Sequence, residues 1–198
     1  GPDGGGMDAT VDAKRVEPLA EILARVMPGR FPAMVADRAA SLGPLKLKLS
    51  AERGKGSFSE TLLSAQGTAA GTRIEASARV GGPKASDRVF GSLKAESAEA
   101  VALLTQLGLD VVPLPGLGRG QIAVELDGRF GNGATLRVAG DALGTSIQGE
   151  GRLGVGPQEP ELSGSISLTS ADIGPLMQVL ALPGPDSLTR MPAKLSAK

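Results

Sequence analysis

The chain has 198 residues, and its 21 Lys and Arg are balanced by 21 Asp and Glu, so the formal net charge is zero and there is no basic excess to draw nucleic acid. His, Cys, Trp and Tyr are absent, which excludes disulfide frameworks, haem ligation, Ser-His-Asp and Cys-His nucleophile pairs and most zinc sites, and leaves carboxylate, Lys or Ser/Thr chemistry. Leu, Val, Ile and Phe form about a quarter of the chain, enough for a core, while 29 Gly and 14 Pro imply many turns.

Residues 1–6, Gly-Pro-Asp-Gly-Gly-Gly, read as an expression scar or linker. A first strand is expected over 7–13 and a helix over 16–26, with Leu19, Ile22, Leu23 and Val26 on one stripe, Pro18 in its first turn and Glu17 near the positive end of its dipole. A fourth, less regular helical segment spans 29–42, where Phe31, Met34 and Val35 would cover part of a sheet. Over 44–50, Leu45, Leu47 and Leu49 alternate with Lys46 and Lys48, the pattern of a half-buried strand with one wet face. Further strands are expected over 58–66, around Ile74, Ala76 and Ala78 (against Arg73, Glu75 and Arg79), and over 88–95.

Ser97 is placed to cap a second helix whose stripe is Ala100, Leu103, Leu104 and Leu107 before Gly108. The window 100–118 contains Asp110, Pro113 and Pro115 and is no bilayer span. Ile122, Val124 and Leu126 then alternate with Gln121, Glu125 and Asp127, followed by strands over 134–139, 146–155 and 161–169, with a Gly-rich link at 131–133. A third helix over 171–182 has Leu176, Val179 and Leu180 as its stripe, and 191–198 reads as the start of another strand. Links this short favour an antiparallel meander over parallel strands.

Set in register, Leu19, Ala100 and Leu176 correspond, giving an internal repeat with spacings of 81 and 76 residues. The expected fold is therefore α+β and strand-dominated: a curved antiparallel β-meander, a β-groove, with a short helix inserted once per repeat. The units would be 7–83, 84–157 and a truncated third from 158 to 198, the whole being an excision from a longer protein.

Two parallel runs carry a family resemblance: Leu162-Ser-Gly-Ser-Ile-Ser-Leu-Thr-Ser-Ala-Asp-Ile-Gly-Pro-Leu-Met-Gln-Val-Leu-Ala-Leu182 and Val89-Phe-Gly-Ser-Leu-Lys-Ala-Glu-Ser-Ala-Glu-Ala-Val-Ala-Leu-Leu-Thr-Gln-Leu-Gly-Leu109. With the Leu/Gly-rich meander of 118–155, they resemble the strand, leucine-rich helix and repeating strands of the AsmA family, bacterial envelope proteins grouped with the bridge-like lipid transfer proteins. The resemblance covers most of 7–198. It implies a non-enzymatic periplasmic segment whose apolar groove holds or conducts phospholipid between inner and outer membrane. It also implies a parent protein anchored in the inner membrane through a span outside this chain.

The residues expected to line such a groove against acyl chains are Leu45, Leu47, Leu49, Ile74, Ile122, Val124 and Leu126. Ala76, Ala78, Gly149, Gly151 and Gly164 fall on the same side of their strands and leave space that either lipid or the helix stripes must fill. Lys46, Lys48, Arg73, Arg79 and Arg119 are headgroup contacts or simply a solvated face. Glu96, Glu99 and Asp110 are carboxylates that nothing in the sequence pairs for acid and base work, and Ser97 and Ser170 read as caps before helices. No catalytic, metal or cofactor site is expected. The competing reading is a structural or partner-binding spacer with a dry sheet face, and in either case terminal strands 7–13 and 191–197 are expected to permit edge-to-edge self-association.

Overall fold

Among the described residues, alternation of apolar and polar residues produces ten strands that follow one another in a single open sheet, each hydrogen-bonded antiparallel to its neighbours in sequence. The computed structural model describes residues 5–26, 30–54, 60–81, 88–129, 133–154, 162–183 and 191–197. In chain order the elements are β1 (Gly6–Ala13), α1 (Glu17–Val26), α2 (Arg30–Asp37), α3 (Ala39–Leu42), β2 (Leu45–Arg53), β3 (Glu60–Ala69), β4 (Thr72–Gly81) and β5 (Arg88–Ser97). They continue as α4 (Ala100–Gln106), β6 (Gly120–Arg129), β7 (Gly133–Ala142), β8 (Thr145–Leu153), β9 (Leu162–Ser170), α5 (Gly174–Val179) and β10 (Ala193–Ala197). This is the strand-dominated α+β meander expected from the alternation.

Helices follow β1, β5 and β9, and the tight β3–β4 and β7–β8 turns lie at the same end of the sheet. The first of these connections holds three helices: the segment 29–42 divides at Arg38 into α2 and α3. Val35 there is half-buried, and the side chains of Phe31 and Met34 lie outside the described residues. Gly6 is the first residue of β1, so the leading segment of 1–6 extends into the sheet; 1–4 lie outside the described residues, as do 131–132, 155 and 161.

The stripes differ in detail from the sequence expectation. In α1, Ala20 is buried, together with Val16 just before the helix, while Ile22 is 57% exposed. In α4, Ala100, Val101, Leu103 and Leu104 are buried but Leu107 is exposed, because it has already passed into the helix C-cap. Ser97 and Ser170 are not N-caps: Glu99 and Ile173 hold those positions without side-chain caps. Each serine Oγ instead accepts the backbone N–H two residues on, Glu99 and Asp172, both at 3.2 Å.

These matched bonds set the repeat at 73 residues between the second and third units, not 76. The helix C-termini agree: Gly108 N–H and Leu109 N–H donate to Thr105 and Leu104 carbonyls, as Ala181 N–H and Leu182 N–H donate to Gln178 and Met177. The same offset relates the turns Ala69-Ala-Gly-Thr72 and Ala142-Leu-Gly-Thr145, each with two central residues at positive φ (46° and 83°, 56° and 71°). Thr72 and Thr145, one after each turn, are both fully buried, and Thr145 Oγ1 donates to Ser170 Oγ at 3.0 Å.

Candidate functional site

Residues directly opposite each other in an antiparallel pair share a face, so the register assigns every strand residue to one side. Starting from Leu47 and moving partner to partner gives Gly67, Ile74, Ala95, Ile122, Gly140, Ile147, Leu168 and Leu195. The next row runs Leu49, Ala65, Ala76, Leu93, Val124, Val138, Gly149 and Ile166. A third has Leu63, Ala78 and Gly91 on one side of Leu126 and Leu136, Gly151 and Gly164 on the other. β1 adds Val11, Ala9 and Met7 at the edge of the three rows.

These rows contain no charged or hydrogen-bonding side chain. Arg53, at the far end of β2, is the one charge on this face among the described strand residues. Ten strands at about 4.8 Å spacing make the face roughly 43 Å across. All seven residues expected to line a groove lie on it: Leu47, Ile74 and Ile122 in the first row, Leu49 and Val124 in the second, Leu126 in the third. Leu45 belongs to the row beyond, next to the helices.

The helices cover that end row and stop. A Cβ at Gly120 would meet Ala100 and the Leu103 side chain, which puts α4 on the apolar side of the sheet, and Gln106 Nε2 donates to the Ala69 carbonyl at 3.1 Å. Among the described residues, and apart from Ala95 and Ala134, the buried strand side chains lie in the helix-covered row: Ala69, Thr72, Ser97, Ala142, Thr145 and Ser170. The main buried cluster is built there from Ala100, Val101, Leu104, Ala142, Leu143, Leu176 and Val179. Beyond it the face is open: Leu63 is 41%, Leu93 38% and Ile166 44% exposed, and among the described residues no helix packs over these rows. A shallow hollow of about 380 Å³ lies between Met7, Ala9, Leu49, Leu63, Ala76 and Ala78.

The opposite face is wet. Lys46 pairs with Asp12 (3.4 Å), Arg73 with Glu75 (2.6 Å), Arg79 with Glu60 (3.7 Å) and Arg137 with Glu150 (3.3 Å). Between them runs a serine row in which Ser50 bonds Ser64 at 2.7 Å and Ser77 bonds Ser92 at 2.8 Å. The cations considered for headgroup contact, Lys46, Lys48, Arg73 and Arg79, therefore point away from the apolar rows, and Arg119 is exposed just before β6. A hollow of about 640 Å³ lies on this side, lined by Glu125, Arg137, Gln148 and Glu150 among others.

Glu96 lies on the wet face, Asp110 is exposed in a loop, and Glu99 Oε2 accepts the Gly116 N–H at 3.3 Å, so these carboxylates are not gathered at one point. Glu17 has its carboxyl held below the ordinary value by hydrogen bonding from its own backbone N–H, then by the Arg15 guanidinium. Among the described residues no His, Cys, Asp or Glu group is arranged to hold a metal ion, and no helix is long and apolar enough to cross a membrane. Comparison with family models, with curated proteins and with solved structures finds no match for this chain.

Proposed function

We propose that this chain is a non-enzymatic, AsmA-like segment of the bacterial envelope that holds phospholipid acyl chains on the apolar face of its sheet, as part of a periplasmic path between inner and outer membrane. The observation that supports this reading most is the set of three uncharged rows, two crossing all ten strands and the third crossing β1 to β9, that no helix among the described residues packs over. A monomeric protein seldom leaves more than a few hundred Å² of contiguous apolar surface to water. Acyl chains fit such a surface because they need no hydrogen-bond partner and no shape-specific pocket. The headgroups would remain in water at the rim, where no desolvation is required of them.

The test is to extract purified protein with organic solvent and measure phospholipid by mass spectrometry. Lipid should copurify with the wild type and be lost from Leu47→Asp and Val124→Asp, because a carboxylate cannot be desolvated under acyl chains without a large cost. Thermal melts of both variants establish that the sheet survives. A photo-crosslinker at position 124, used in cells, catches lipid that purification strips. A wild type with neither extractable lipid nor a lipid crosslink makes the chain a spacer with a dry face and ends the lipid reading.

A further inference from the structure

Among the described residues β1 and β10 are the two edges of the sheet, each paired with a strand on one side, and such edges present unpaired backbone groups to any chain that fits. Their side chains are not alike. β1 carries Asp8 and Asp12 on the wet face with Met7, Ala9, Val11 and Ala13 on the apolar one. β10 carries Lys194 and Ser196 on the wet face with Ala193, Leu195 and Ala197 on the apolar one.

We infer that copies of this chain join head to tail, β10 of one beside β1 of the next, in the register that sets Ala193 against Ala13 and Lys194 against Asp12. Three observations converge on it. Strand direction alternates through ten strands, so β10 laid beside β1 is antiparallel without any reversal of faces. Ala13 and Ala193 both belong to the helix-end row, and aligning them puts Leu195 beside Val11 and Ala197 beside Ala9, so the apolar rows continue unbroken into the next copy. The same alignment places a lysine opposite an aspartate on the wet face. Asp12 already meets Lys46 at 3.4 Å but remains 63% exposed, which leaves it open to a second cation.

Pairing of like edges lacks this match. β1 against β1, with the apolar faces on one side, sets Asp8 or Asp12 against an aspartate or against Thr10, and β10 against β10 offers five residues with Lys194 opposite itself or Ser196, so neither gains an opposite-charge pair. Like charges directly opposite destabilise a strand pair. A head-to-tail contact is not self-complementary, so an open pair of copies keeps one free β1 and one free β10 edge, and addition continues into a filament or until a ring closes. Each added copy lengthens the apolar face by about 48 Å. The inference stands whatever occupies that face.

Sedimentation velocity over a concentration series tests it with Asp12→Lys, Lys194→Asp and the double variant. The wild type should form species beyond the dimer, and either single variant should need about tenfold more protein for the same association, because each opposes like charges at every contact. Mixing the two single variants, or combining both changes in one chain, should restore assembly, since each then has opposite charges to pair. Thermal melts of the single variants confirm folded protein, and Lys194→Asp removes no in-chain ion pair among the described residues. A wild type that stays monomeric, an association unchanged by Lys194→Asp, or no recovery on mixing overturns the proposal.

Discussion

Gly149 and Gly164 occupy adjacent strands on the same face, and the space above them differs. A Cβ at Gly164 would run into the backbone of Glu150, so glycine is needed there for close strand approach. A Cβ at Gly149 would meet nothing nearer than 3.6 Å and would project over the open rows beside Val138 and Ile166. Gly149→Val should therefore fold at least as well as the wild type, gaining strand propensity of up to about 1 kcal/mol. On the proposed lipid reading it should also carry less copurifying lipid, since its methyls would fill space that reading gives to an acyl chain. Urea melts and lipid extraction on the same preparation check both halves; undiminished lipid would mean that acyl chains do not lie across β8.

The element scale is where the second and third repeats agree most closely, and the turn of the first repeat tests what that agreement means. Ala70 and Leu143 hold the same turn position at positive φ, a conformation that costs a residue with a Cβ of order 1 kcal/mol or more. Ala70 is half-buried with no place in the main buried cluster, so Ala70→Gly should relieve strain and raise stability by about 1 kcal/mol in urea unfolding. Leu143 is 5% exposed inside the cluster, and Leu143→Gly should cost about 2–5 kcal/mol because lost packing outweighs the relieved backbone.

Much of this was legible in the sequence. Period-two alternation located all ten strands and put Leu47, Ile74 and Val124 on one face, because register in a meander with short links follows pattern and turn alone. The repeat spacing was harder to read. Leucine stripes at 3.6-residue spacing match one another in more than one frame, whereas Ser97 with Ser170 and the two Ala-x-Gly-Thr turns align in only one. Alternation also reports a face as apolar without saying what covers it, so the boundary between helix-covered and open rows was not readable.

Across the whole molecule, the residues packed under the helices and those left open on the sheet separate along the strands. At the helix end, Leu104 and Leu176 are buried among α4, α5 and the β7–β8 turn. Truncating Leu104 to Ala there removes methyl contacts from all sides and should cost about 2–5 kcal/mol. Leu93 lies two rows away on the open part of the face, 38% exposed. Leu93→Ala deletes a side chain with few protein contacts above it, so its cost in urea unfolding of lipid-free protein should stay below about 1 kcal/mol. Lipid occupancy should respond in the opposite order, falling with Leu93→Ala and holding with Leu104→Ala at temperatures where that variant is folded. If Leu93→Ala proves as destabilising as Leu104→Ala, protein covers the middle of the sheet, and the face is a core and not a binding surface.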